Sequence, residues 1–213
     1  MPMPCTEYSA AQRHQLLAIA RRSMAHGVRT GEPLPVQIEG LPYALLDVRC
    51  TFVTLHRQGE LRGCTGSMEA HRPLAIDVAE VACRSALADP RFLPVQAVEL
   101  DEIHIEISVL SPLEVLPVAS ESELLARLQP GIDGLVLEFG PHRATFLPKV
   151  WDVLPSPGKF LGELKRKGGL PLDFWSREIV VHRYHTESFA DTAACGSAGP
   201  RDCPQRTEIG KLE

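Results

Sequence analysis

The sequence predicts an α+β fold with a largely antiparallel sheet, and three observations carry that expectation. Glu102 to Leu110 alternates, with Ile103, Ile105, Ile107 and Val109 on one side and His104, Glu106 and Ser108 on the other. A run rich in β-branched and aromatic residues, Tyr43 to His56, leads into Arg57-Gln58-Gly59-Glu60, a hairpin signal. Helical patterns are few and do not alternate strictly with the strands.

In chain order, a first helix is expected from about Thr6 to about His26. Thr6 is its cap, Leu16, Leu17, Ile19, Ala20 and Met24 form its apolar stripe, and Gly27 is its stop. Pro33, Pro35, Gly40 and Pro42 mark an extended connection to the Tyr43–His56 strand. Pro73 is placed to open a second helix whose buried side runs from Leu74 to Leu87 and includes Cys83. Asp89-Pro90 breaks it, because proline disfavours helical geometry in the residue before it. Ser120-Glu121-Ser122-Glu123 reads as a capping box for a short helix stopped at Pro130-Gly131. Gly134–Phe139 and Arg143–Leu147 read as strands joined through Gly140-Pro141. Phe160, Leu161 and Leu164 mark a helix closed by Gly168-Gly169, and Glu178–His185 is the last strand. From about Ser188 aliphatic residues give way to Ala, Gly, Ser and charged residues, so the domain is expected to end at 187 and residues 188–213 to form a disordered tail.

The totals exclude several classes. A formal charge of -5 and a pI near 5.9 argue against non-specific nucleic-acid binding, which relies on clustered cations. No apolar run reaches the roughly 20 residues of a membrane span, and the first 15 residues hold no signal-peptide core. The expected compartment is the cytoplasm. The six cysteines show no CxxC, so they read as reduced thiols. Walker, strand-coupled GxGxxG, GxSxG and HExxH patterns do not occur.

The organising stretch is Leu61-Arg62-Gly63-Cys64-Thr65-Gly66. Gly63 and Gly66 bracket a thiol with little bulk around it, which permits close backbone approach and positive φ. The same pattern also suits a tight turn with a small buried thiol. As chemistry, Cys64 would be a nucleophile with His56, His71, His104 or His142 as base, and Arg62 would stabilise its thiolate. A metal reading would instead combine Cys64, a histidine and Glu106. Arg143 to Trp151 is a second notable stretch, in which Trp151 reads as a core or interface anchor and Lys149 as a solvated cation. Asp89, Arg91 and Arg62 are candidates for one polar rim with them.

These stretches together resemble the AMMECR family, also called component A of the AmmeMemoRadiSam system. The resemblance runs through Leu61–Gly66, Asp89–Phe92, Ile107–Glu114, Gly131–Gly134, Thr145–Trp151, Phe160-Leu161 and Lys167–Leu170, in order, over about residues 8–187. Thr65 stands where the family usually has an aliphatic residue, and Gly168 replaces the usual alanine. The resemblance implies an antiparallel sheet flanked by helices, a smaller α/β subdomain beside it, and a cleft at the Arg-Gly-Cys-x-Gly turn. It also implies an enzyme subunit of undefined reaction that works with a Memo-family partner, and with a radical-SAM protein in the same system. Its chemistry would be oxidoreductase-like and linked to a transition metal, with Cys64 as nucleophile or candidate ligand. On that reading Arg62, Glu106 and His104 complete the catalytic set, and Gly63, Gly66, Asp89, Arg91, Lys149 and Trp151 shape the surface for substrate or partner. A non-catalytic adaptor using the same surface is the alternative.

Overall fold

The computed structural model describes residues 7–67 and 69–191. Thr6, Cys195, Cys203 and residues 192–213 lie outside the described residues. The fold is α+β, built on two four-stranded antiparallel sheets, each with its own helices.

Helix α1 spans Ala10–Thr30. Its cap is Ser9, whose hydroxyl accepts from the Gln12 N–H while the Gln12 side chain accepts from the Ser9 N–H. Gly27 does not stop it. The helix runs on to Gly31, which adopts φ 82° and donates its N–H to the Gly27 carbonyl. Gly27 instead allows close helix packing, since a Cβ there would stand 2.5 Å from Cys83 Sγ. That thiol belongs to α2 (Leu74–Leu87) and is core, as its spacing predicts.

The expected long strand at Tyr43–His56 is shorter. Tyr43–Leu45 forms a 3-10 turn, and β1 covers only Thr51–Arg57. The intervening backbone serves the start of α2: the Asp47 carbonyl accepts from the Leu74 N–H, and Val48 bridges Pro73. β1 turns into β2 (Glu60–Gly66) through Gln58 and Gly59, both at positive φ, as a two-residue hairpin of this type requires. The organising stretch Leu61–Gly66 is therefore a strand, not a turn.

β3 (Ile103–Leu110) pairs with β1 and buries Ile103, Ile105, Ile107 and Val109 against α1 and α2. β8 (Thr186–Ala190) completes the sheet in the order β2-β1-β3-β8. The domain thus runs past the expected boundary at 187. Residues 188–190 pair with β3, and Asp191 accepts from the Ile105 N–H at 2.9 Å and pairs with Arg21. Composition hid this strand because its ladder bonds need no apolar side chains.

The second unit contains β4 (Glu114–Val115), α3 (Glu121–Arg127), β5 (Gly134–Phe139), β6 (His142–Phe146), α4 (Pro157–Lys167) and β7 (Val180–Tyr184). Its sheet runs β4-β7-β5-β6 and is antiparallel at every described pair, so the smaller subdomain, like the first, mixes helices with an antiparallel sheet. Trp151 and Phe160 stack at its centre, with ring centroids 3.9 Å apart.

The chain crosses between sheets twice. β3 passes to β4 through Ser111–Leu113, and β7 passes to β8 through His185 alone. The crossings are tied together: the Ser111 N–H donates to the His185 carbonyl, and the His185 N–H donates to Ser111 Oγ. A small shared core of Cys50, Leu110, Val136 and Tyr184 lies at this seam.

Replacing Asp191 with alanine is expected to lower unfolding free energy by about 1–3 kcal/mol, because the Ile105 N–H and Arg21 both lose an acceptor. Urea denaturation measures this, and Asp191→Asn should recover part of the loss by keeping an oxygen for Ile105.

Candidate functional site

Strand alternation decides which motif residues share a surface. The face of the first sheet turned away from α2 carries Cys64 from β2, Phe52, Thr54 and His56 from β1, and His104, Glu106 and Ser108 from β3. Cross-strand pairing sets Cys64 beside Thr54, Thr54 beside Glu106, and His56 beside His104. Lys149 reaches this face from a 3-10 turn of the second unit (Pro148–Asp152), its Nζ 3.3 Å from both carboxylate oxygens of Glu106. Lys149 is 65% exposed and Glu106 23%.

Cys64 is half-buried, and its Sγ lies 3.2 Å from Thr54 Oγ1, which donates to it. No histidine bonds to it among the described residues. His71 pairs with Glu69 at 3.0 Å, His142 Nδ1 meets the Gly168 carbonyl at 2.8 Å, and His104 stands 3.9 Å from Asp191. The expected Cys–His dyad is therefore not assembled. Burial pushes the His56 imidazole below its ordinary pKa, and the Lys149 and His104 charges add to this against the opposing effect of Glu106. This favours the neutral form of the His56 imidazole.

Arg62 does not face the thiol. Its guanidinium grips Glu99 through Nε and Nη2 at 2.9 and 3.0 Å, and Nη1 donates to the Leu93 carbonyl. These bonds hold Glu99 down to about 2; burial opposes them, while the Gln96 N–H and the Arg62 and Arg57 charges reinforce them. Sequence reading missed Glu99, though Gln96 and Glu99 form a capping box that signals a local turn.

Asp89 and Arg91 clasp the backbone of Cys64. β2 is an edge strand, so its outward N–H and C=O groups lack a neighbouring strand. Asp89 Oδ2 accepts from the Cys64 N–H at 2.7 Å, Arg91 donates to the Cys64 carbonyl at 3.2 Å, and the two side chains pair at 2.8 Å. Burial would raise the Asp89 carboxyl, but the bonds from Arg91 and from the Cys64 and Arg91 N–H groups outweigh it and hold it at about 2.

The glycines act by closeness. Neither Gly63 nor Gly66 has positive φ. A Cβ on Gly63 would lie 2.2 Å from the Ser85 carbonyl oxygen, and one on Gly66 would enter the Phe52 ring. Trp151 is not a surface residue. It is 3% exposed, and its Nε1–H donates to the Asp133 carbonyl at 2.7 Å. Five expected contact residues (Gly63, Gly66, Asp89, Arg91, Trp151) and the expected catalytic Arg62 thus serve the structure as a platform, while Cys64, Glu106, His104 and Lys149 share the polar face, with Lys149 touching Glu106. A cavity of about 390 Å³ lies instead at the seam, lined by Cys50, Leu110, Pro112 and Arg143 among others, and by none of those four.

The fit of a metal follows from the donor set. Among the described residues no group of three or more His, Cys, Asp or Glu side chains converges to hold an ion. A closed site on Cys64, a histidine and Glu106 does not fit this arrangement. No described helix is long and apolar enough to cross a membrane.

Comparison with known proteins gives the lineage. The AMMECR1 family model matches residues 17–189, which include both sheets and the whole polar face. The chain belongs to the AMMECR1 family. Among AMMECR1-family relatives, a protein from Methanothermobacter thermautotrophicus is 38% identical over 180 residues, covering 82% of this chain and 91% of its own length. A protein from Methanocaldococcus jannaschii is 37% identical, covering 76% and 82%. The crystal structure of an uncharacterized protein from Pyrococcus horikoshii superposes with a TM-score of 0.79 at 30% identity, covering 87% of this chain and 94% of the other. This chain and the Pyrococcus horikoshii protein thus share one fold.

Two outcomes test the platform. Gly63→Ala should cost about 2–4 kcal/mol in urea denaturation, because backbone rather than a movable side chain blocks the new Cβ. Asp89 and Glu99 both sit near 2 in the fold, against ordinary values of 3.8 and 4.5. The stability they add is complete above about pH 4.5 and lost as pH falls toward 2, on the order of 2 kcal/mol each. Thermal scans across that window should show a flatter pH dependence, from a lower plateau, in Asp89→Asn.

Proposed function

We propose that the polar face of the first sheet is the working surface of an enzyme subunit, acting with a Memo-family partner on a small molecule or protein group in metal-linked redox chemistry. A radical-SAM protein is a further component in this reading, and the site of action is cytoplasmic. The observation that carries it is the meeting of groups from separate elements on one open surface. Lys149 leans from the second unit onto Glu106, beside the neutral His56 and in one row with Thr54 and Cys64. A carboxylate–ammonium pair next to a neutral imidazole supplies a proton acceptor and a donor within reach of one bound group. The platform residues spend their hydrogen bonds on holding the Cys64 strand, as expected where a surface must keep its shape while a ligand comes and goes.

This chain's own part is binding, orientation and proton movement at Glu106, Lys149 and His56. Since no three donors converge among the described residues, an ion in this reading is completed from the partner's side. A second reading is favoured by one feature: the thiol meets a hydroxyl rather than a base, and Arg62 is committed to Glu99. That is the arrangement of a docking surface without catalysis.

The test is untargeted metabolite profiling of the full chain mixed with its Memo-family partner, with native mass spectrometry of the mixture. A product that forms only with both chains, and falls at least tenfold in Glu106→Gln with the thermal midpoint held within a few degrees, is the expected result. A complex that forms without product, equally in Glu106→Gln, would establish the docking reading instead.

A further inference from the structure

We infer that His56 and His104 form an open, two-histidine site for a divalent transition-metal ion on the polar face. They are partners across the β1–β3 ladder, so their side chains project from the same side of the sheet. Residues directly opposite in an antiparallel pair hold their Cβ atoms about 4.5–5.5 Å apart, which lets two imidazole nitrogens close on one ion at about 2.0–2.1 Å each.

Two carboxylates lie near the pair. Asp191 Oδ1 lies 3.9 Å from His104 Nδ1, beyond hydrogen-bond reach but near enough for its charge to favour a cation there. Glu106 stands two residues along β3 on the same face, where its carboxylate adds to the negative field but is at present drawn to Lys149.

Two imidazoles leave several coordination positions open. That fits an ion shared with a ligand or a second protein surface better than a structural ion, which takes four protein ligands. Imidazole donors suit zinc, copper and nickel rather than magnesium or calcium. Lys149 opposes a cation here twice, by its own charge and by holding Glu106. The inference builds on the choice of face made above, but a titration of the chain by itself succeeds or fails independently of any turnover with a partner.

The experiment titrates the full-length, tag-free chain with Ni²⁺ alone, read by calorimetry and by the histidine ring signals in NMR. One ion per chain should bind and broaden the His56 and His104 ring signals before those of His71 or His142. His56→Ala and His104→Ala should each weaken binding at least tenfold, with little further loss in the double variant. His71→Ala should leave it unchanged, and Lys149→Ala should tighten it several-fold by releasing Glu106. The ring signals of the unaltered chain decide the case even if a variant folds poorly. No saturable binding, or binding that spares both rings and survives both substitutions, would overturn the inference.

Discussion

The packing of α2 against the β1–β2 hairpin is the constraint on which the rest depends. The helix comes so close that the Ser85 carbonyl occupies the space where any side chain at 63 would begin. Ser85 then serves both strands: its hydroxyl donates to the Val53 carbonyl and accepts from the Thr65 N–H. The end of the same helix delivers Asp89 to the Cys64 N–H and Arg91 to its carbonyl. An edge strand that would otherwise be open is thereby closed along its outer side, which fixes the direction in which Cys64 points and discourages pairing with a foreign strand.

A second constraint joins the two units. Each sheet would be an independent hairpin assembly were it not for the crossings at Ser111–Leu113 and His185, which hydrogen-bond to one another. The fully buried Asp133 binds the His185 ring at 3.2 Å and accepts from the Gln129 N–H, while its carbonyl holds the Trp151 indole. The Trp151–Phe160 stack in turn fixes the 3-10 turn that carries Lys149. A chain of contacts thus runs from the seam to Lys149, which the second unit places over the polar face. The reach of Lys149 to Glu106 depends on core packing in another part of the molecule.

These contacts explain why several motif residues hold the structure instead of facing a ligand. Arg62, Asp89, Arg91 and Trp151 are chemistry-bearing types, and in a linear string they look like contact residues. Their partners, Glu99, the Cys64 backbone and the Asp133 carbonyl, lie far away in sequence or carry no side-chain signature. Buried polar groups must find partners, so the polar residues nearest a packed helix–sheet junction are the ones drawn into structure. Thr54 was passed over because an isolated threonine in a strand says nothing until the hairpin register sets it opposite Cys64.

The sequence by itself determined the local elements and the lineage. The period-two run at Ile103–Leu110, the Gln58-Gly59 turn, the Pro73 start of α2 and the ordered motifs were all readable, because each depends on interactions within a few residues. Only the tertiary structure decided which glycine ended α1, that the ladder continued through Ala190, and which motif residues faced outward. Those outcomes depend on long-range approach: a thiol of α2 against Gly27, β3 offering its free edge to β8, and a carbonyl of α2 against Gly63. Local preference cannot encode them, because the atoms that select them belong to segments that meet only when the chain has folded.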